Sequence, residues 1–205
     1  MKNIRTTRLF SLLSMLLLSL AFVSCEDETS DVNVLLDRER QIIEDHLAEN
    51  GISEYEVTPS GIYHYTLREG SADNLPNGAI GHIGYEGRLP YGYIFDSSYL
   101  RDDTLKVQQG TGRSIAGYTQ QDCDTLSTDP IVVNCVECPS FQSGVIPGWV
   151  EAMDLLKVDQ KKRFYIPSYL AYGASGQGPI PGNSILIFDM ELFGYEGIPS
   201  GCNQQ

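Results

Sequence analysis

Apolar and polar positions along this chain change their period twice, and each change marks a new kind of element. Leu9 to Val23 is an apolar run with little between but serine. It is too short to span a bilayer comfortably and suits the hydrophobic stretch of a signal segment. Over residues 33–49 the spacing is helical. Leu36, Ile43 and Leu47 share a face, Leu35 and Ile42 lie beside it, and Asn50-Gly51 supplies a stop. This predicts an amphipathic helix lying on the main domain, with a dimerising or spacer helix as the alternative. From Gly61 the period falls to two. Tyr63, Tyr65 and Leu67 alternate with Ile62, His64 and Thr66, turns follow at Gly70 and Asn77-Gly78, and Ile83 and Tyr85 resume the alternation. Phe164-Tyr165-Ile166 reads as a short strand ending at Pro167, and Leu186, Phe188, Met190 and Leu192 line one face of the last long strand. One helix in this half opens at Gly148 and puts Trp149, Met153 and Leu156 on one face. Strands with one late helix predict an α+β fold, an antiparallel β-sheet wrapped around a short α-helix.

Composition adds a compartment. The 205 residues favour one domain with appendages, and 41% hydrophobic content suffices for a core. Lys2, Arg5 and Arg8 precede the apolar run, so residues 1–24 read as a signal peptide. The run ends at Phe22-Val23-Ser24-Cys25, which resembles a bacterial lipobox and implies a lipidated Cys25. An ordinary cleaved signal is the alternative. The acidic stretch after it, in residues 25–32, reads as a tether or as a cell-surface export signal. Removal of three basic residues with the signal takes the formal charge from −13 to −16. Such acidity excludes nucleic acid as a partner, because phosphate contacts need basic surface. It also leaves lipid as the only membrane anchor. The location expected is the bacterial cell envelope, at the outer membrane, on its periplasmic face or at the cell surface.

The candidate chemistry lies in an aromatic and apolar set: Tyr85, Phe95-Asp96-Ser97-Ser98, Gly148-Trp149, Tyr172-Gly173 and Leu186-Ile187-Phe188-Asp189. It offers two carboxylates and two phenols, with no nucleophile, no acid–base pair and no metal cluster. Such a site suits a reaction without bond cleavage, in which a planar group twists in a dry pocket. Any one of these aromatics alone would read as core; their joint order makes the case. His46, His64 and His82 fall on a helix, on a strand and before the Tyr85 motif, and read as structural or exposed.

Residues 60–196 resemble an FKBP-type peptidyl-prolyl isomerase of the bacterial lipoprotein variety. The resemblance rests on Gly84-Tyr85-Glu86-Gly87, Phe95-Asp96-Ser97-Ser98, Val145-Ile146-Pro147-Gly148-Trp149, Ala171-Tyr172-Gly173 and Leu186-Ile187-Phe188-Asp189-Met190-Glu191-Leu192, in order. It implies rotation about X-Pro bonds, with proline-containing polypeptides as substrates, macrolides of the FKBP class as inhibitors, and no cofactor or metal. It implies Trp149 as the pocket floor and Tyr85, Phe95, Val145, Ile146 and Phe188 as walls. Asp96 and Tyr172 become the polar contacts, Tyr172 donating to a substrate carbonyl. Arg101 matches an arginine that orients the Asp and the first Tyr, and Ile180 an apolar residue on the loop over the site. Leu105 stands where the family commonly has an aromatic wall, and Gln177 near its usual His, so an altered substrate preference is expected.

The larger departure is a 37-residue insertion, 108–144, where the family has a short connection. Gly110-Thr111-Gly112 within it reads as plain loop rather than a phosphate cradle. Cys123, Cys135 and Cys138, with Cys202 in the tail 197–205, predict two disulfides outside the cytosol, with three possible pairings. Zinc binding and a thioredoxin-like Cys135-Val136-Glu137-Cys138 motif are the alternatives, the latter without its βαβ surroundings. The insertion is expected to overhang the pocket. Three functions compete: an isomerase assisting folding of extracytoplasmic proteins, a non-catalytic proline-binding or chaperone-like module, and a structural accessory lipoprotein.

Overall fold

The computed structural model describes residues 28–71, 73–126 and 132–198. The signal segment, Cys25 and Cys202 lie outside the described residues. The chain divides into two compact units, Met1–Asp37 and Arg38–Gln205. Of the first, only the opening turns of a helix are described. That helix, α1, spans Glu28–Glu49, so it begins five residues before the expected position 33. Among the described residues no helix is long and apolar enough to cross a membrane.

Among the described residues nine strands form the frame of the second unit: β1 (Glu56–Val57), β2 (Tyr63–Arg68), β3 (Ile80–Arg88), β4 (Ile94–Ser97), β5 (Leu105–Gln108), β6 (Arg113–Leu126), β7 (Val132–Gly144), β8 (Lys161–Ile166) and β9 (Leu186–Glu196). They hydrogen-bond in the order β1-β2-β8-β9-β3-β5-β6-β7, and β4 joins β3 off this path. Every pairing is antiparallel. The α+β expectation is met: an antiparallel sheet packed on one short helix, α2 (Pro147–Asp154).

The period of two sorts side chains to the two faces of the sheet. Ile62, Ile83, Tyr85, Phe164, Ile166, Leu186, Phe188, Met190 and Leu192 turn inward and pack with Trp149, Ala152, Met153 and Leu156 from α2 and the residues after it. Pro147 occupies the first turn of α2, where its missing N–H costs nothing. Gly148 lets the helix approach β8 closely, since a Cβ there would lie 2.4 Å from Ile166 Cγ2. The other face is covered too. Tyr63, Tyr165, Ile185 and Ile187 pack with Ile43 and Leu47 of α1. Burial of that second face explains why β9 is enclosed on both sides from Leu186 to Leu192, where alternation alone suggested one.

The helical face differs from the one the apolar pattern suggested. Glu39, Ile43 and Leu47, each four residues apart, are buried, whereas Leu36 and Ile42 are exposed. A carboxylate took an inward position that a pattern built on apolar residues cannot assign.

The insertion is not an irregular loop. Its residues form the long hairpin β6–β7, bulged between Arg113 and Ile115, Ile115 and Gly117, and Gln121 and Asp124. Cys123 and Cys135 both fall between the pairs Gln121↔Val136 and Asp124↔Asn134, and Cys138 lies opposite Thr119. The side chains of these three cysteines are outside the described residues. The expected overhang of the pocket is not decided by this backbone.

Candidate functional site

Tyr85 sits at a break in strand pairing. On one flank β3 pairs with β9 throughout, but on the other it pairs with β5 through Ile80–Ile83 and with β4 through Glu86–Arg88. Ser98 fills the gap. Its hydroxyl accepts the Tyr85 N–H at 2.8 Å, and its N–H donates to the Tyr85 carbonyl at 3.0 Å. This explains the Ser after the Phe-Asp-Ser run: it closes the ladder beside Tyr85.

The Tyr85 hydroxyl donates to Asp96 Oδ2 at 2.6 Å and accepts from Arg101 Nη2 at 2.7 Å. Arg101 Nη1 also donates to Asp96 Oδ1, which takes the Ser97 N–H at 2.8 Å as well. The three side chains therefore form a closed triangle. Burial pushes the Tyr85 phenol up to about 12, helped by the Asp96 carboxylate. Burial alone would raise Asp96, but the hydrogen bonds from Tyr85 and Arg101 outweigh it and hold the carboxyl below its ordinary range. Asp96 is thus a fixed negative charge and Tyr85 a fixed neutral donor near neutral pH.

Beneath this triangle lies an aromatic well. Trp149 meets Tyr85 edge-on, with centroids 4.9 Å apart at 87°, and Phe188 at 5.5 Å and 90°. Phe95 meets Phe188 edge-on at 5.5 Å. Such T-shaped contacts favour one ring arrangement over sliding alternatives. Gly87 makes room for it, because a Cβ there would lie 2.6 Å from both Phe188 and Phe95 ring carbons.

The cavity above holds about 430 Å³ and is lined by Tyr85, Phe95, Asp96, Leu105, Gly144, Val145, Ile146, Trp149, Tyr172, Gln177, Gly178, Pro179, Ile180 and Phe188. That volume suits a small ligand or one or two residues of a peptide. Gln177 and Ile180 exchange two backbone hydrogen bonds of 2.9 Å, making the turn that closes one side. The Tyr172 hydroxyl has no hydrogen-bond partner among the described residues, and its phenol is raised by burial and by the Asp96 charge.

Of the eleven site residues expected from sequence, ten surround this cavity: Tyr85, Phe95, Asp96, Leu105, Val145, Ile146, Trp149, Tyr172, Ile180 and Phe188. Arg101 does not line it and reaches it only through Asp96 and Tyr85. Gly144, Gly178 and Pro179 also line it and were not singled out; they offer backbone and ring surface, which carries no side-chain signal. Among the described residues no group of His, Cys, Asp and Glu could hold a metal ion. His64 is buried against Phe164, and His46 is hydrogen-bonding distance from the Tyr165 hydroxyl, both away from the cavity lining.

A family profile described as FKBP-type peptidyl-prolyl cis-trans isomerase matches residues 135–193, from β7 through most of β9. The FKBP-type isomerase FkpA of Aeromonas hydrophila is 31% identical over 154 residues, 75% of this chain and 45% of that protein. The chain belongs to the FKBP-type peptidyl-prolyl cis-trans isomerase family. A second relative in Arabidopsis thaliana, the photosynthetic NDH subunit of lumenal location 4, is 30% identical over 147 residues, 69% of this chain and 56% of that protein. The chain thus spans about half the length of these curated relatives. The crystal structure of AtFKBP13 aligns over 70% of this chain and 99% of its own, at 26% identity and a TM-score of 0.52. The FKBP fold thereby accounts for the sheet wrapped on α2.

Proposed function

We propose that the protein is a peptidyl-prolyl cis-trans isomerase acting on X-Pro bonds of extracytoplasmic proteins and assisting their folding. The observation that carries this reading is the closed Tyr85–Asp96–Arg101 triangle over the Trp149 floor, with Tyr172 lining the same cavity.

Rotation about a peptide bond costs about 18–20 kcal/mol because it destroys amide resonance. For X-Pro this makes the free reaction take tens to hundreds of seconds. No bond breaks, so no nucleophile is needed. Trp149, Tyr85 and Phe188 hold the proline ring still, while Tyr172 donates to a carbonyl of the flanking chain. Fixing one side of the bond while the other swings removes competing motions. The planar amide is more polar than the twisted one, so the apolar walls disfavour the ground state more than the transition state. Asp96 remains charged and Tyr85 protonated, so neither transfers a proton. Macrolides of the FKBP class would bind at the same cavity and block it.

The finer location follows from the first residues of the sequence. Residues 1–24 direct export, Cys25 takes lipid, and the isomerase stands in the cell envelope on that anchor. Fatty-acid analogue labelling tests this: wild type takes label and partitions with membranes, and Cys25→Ala does neither. An unlabelled, soluble wild type would mean a plain secreted chain.

Turnover is tested with protein lacking residues 1–25, using NMR exchange on an X-Pro peptide, with macrolide binding by calorimetry. Absence of both would overturn the enzyme reading. Macrolide binding without turnover would favour a second reading, a non-catalytic proline-binding module. That alternative has one specific support: a relative of 30% identity is named a photosynthetic NDH subunit rather than an isomerase.

A further inference from the structure

Buried acids in this protein mostly face arginines. Asp189 sits between Arg88 and Arg163, and Glu191 meets Arg68. Glu39 of α1 differs. It is 3% exposed, and its oxygens accept the N–H of Ser168, at 2.9 Å, and the Ser168 hydroxyl. Ser168 is itself buried and opens the tight turn Ser168–Leu170 directly after β8.

That turn leads to the cavity. The Ser168 carbonyl accepts the Ala171 N–H at 2.9 Å, and the next residue is Tyr172. The Tyr169 hydroxyl donates to the Ser60 carbonyl, and Ser60 bonds Glu151 of α2, the helix that carries Trp149. Leu170 and Ala171 pack on the main core, and a Cβ on Gly148 would lie 3.2 Å from the Leu170 carbonyl. From Gly173 the chain is tied again, its carbonyl accepting the Asn183 N–H at 2.8 Å. Tyr172 thus hangs between two fixed points, and Glu39 sets the first.

A buried carboxylate costs stability unless its oxygens are well matched, and an apolar side chain of like size often serves as well or better. Its presence here is explained by what it holds. We propose that Glu39 is a positioning residue for the proline pocket: its carboxylate fixes the Ser168–Leu170 turn and so sets where the Tyr172 hydroxyl points. The N-terminal helix is then part of the functional unit, with Glu39 as its link to the site.

This inference rests on the isomerase reading for its kinetic test, and a second measurement separates the two. The proteins are wild type, Glu39→Ala, Glu39→Gln, Tyr172→Phe and the double variant Glu39→Ala/Tyr172→Phe. KM for an X-Pro peptide should rise about tenfold in Glu39→Ala, the scale of one misplaced hydrogen bond, with kcat nearly unchanged. Glu39→Gln keeps a carbonyl for the Ser168 N–H and should restore most of the loss. The double variant should be no worse than Tyr172→Phe alone, because both act through the same hydroxyl. Additive effects, or an unchanged KM in folded Glu39→Ala, would overturn the proposal. Should Glu39→Ala fail to fold, Ser168→Ala takes its place in the cycle with the same expectations. If wild type shows no turnover, the isomerase reading fails by itself. The positioning is then read from NMR of carbon-13-labelled tyrosine, where the Tyr172 ring signal must shift in Glu39→Ala and return in Glu39→Gln. A Tyr172 signal indifferent to both changes would sink it.

Discussion

Replacing Asp96 with asparagine keeps the side chain's shape and one carbonyl oxygen but removes its charge. Three donors lose strength at once: the Tyr85 hydroxyl at 2.6 Å, Arg101 Nη1, and the Ser97 N–H at 2.8 Å. The Arg101 pair contributes little to stability, because its side chains are 52% and 43% exposed and solvent screens them. The Tyr85 bond is half-buried and worth more. Together the loss should be about 1–2 kcal/mol, discounted for that exposure. For a chain of this size that lowers Tm by about 2–8 °C. The pH dependence has a definite sign. The folded-state carboxyl of Asp96 is held below its ordinary value of 3.8, so it adds stability above that value. The stabilisation fades as pH falls through the lower folded value. Wild type and variant should therefore differ fully at pH 7 and converge below about pH 4. The catalytic effect should be larger than the thermal one. Without a fixed charge the Tyr85 hydroxyl and the pocket rim lose their set geometry, and kcat/KM should fall about tenfold or more. Protease-free NMR exchange on an X-Pro peptide, alongside calorimetric melting across pH 3–8, measures both. A folded Asp96→Asn protein with unchanged kcat/KM would remove Asp96 from the site and refute the reasoning.

Trp149→Ala removes the floor, a side chain 3% exposed, and should cost about 3–5 kcal/mol while abolishing macrolide binding; binding that survives in a folded variant would place the proline ring elsewhere. Gly87→Ala drives a Cβ to within 2.6 Å of Phe95 and Phe188, so about 1–3 kcal/mol of overpacking and a weakened pocket should appear in melting and calorimetry. No change in either would mean that the ring contacts are soft. Cys123 and Cys135 share one bulge of the hairpin, and cross-strand neighbours lie within disulfide reach. Peptide mapping without reduction should find them joined to each other, leaving Cys138 for Cys202; free thiols or a Cys135–Cys138 bond would contradict this.

Much of the site was legible because its residues carry side-chain signals at fixed spacing. Tyr85, Asp96, Trp149, Tyr172 and Phe188 come from five separated segments, yet all line one cavity. Ile180 was found through its family position and is buried over the site. What escaped notice has a physical pattern. Gly144, Gly178 and Pro179 contribute backbone and ring surface, which no polar or aromatic signal marks. Glu39 was hidden because an inward carboxylate looks, in sequence, like a solvated one. Its partner Ser168 lies 129 residues away, a separation that no local spacing reveals. The strands of the insertion went unassigned for a related reason. Its long strands are polar and cysteine-bearing, so a hydrophobic alternation never announced them, whereas backbone pairing between β6 and β7 needs none.

That pairing also explains how so large an insertion leaves the pocket wall undisturbed. Its two ends meet at its base. The Val145 N–H donates to the Gly112 carbonyl at 2.8 Å, and the Gly112 N–H donates to the Gln108 carbonyl at 2.9 Å. A short connection between β5 and α2 would close the same gap. Strands β6 and β7 pair their backbone groups with each other across the hairpin except at its bulges, as buried or shielded amides must. Their entropic cost grows only slowly, about 0.6 kcal/mol for each doubling of length in a flexible loop. Beyond β7 the sheet has no further strand among the described residues, so its outer flank is an edge. Three bulges interrupt the hairpin's straight run, a feature that discourages pairing with a second chain. Val145, Ile146 and Trp149 therefore take their positions from Gly112 at the base and from α2 lying on β8.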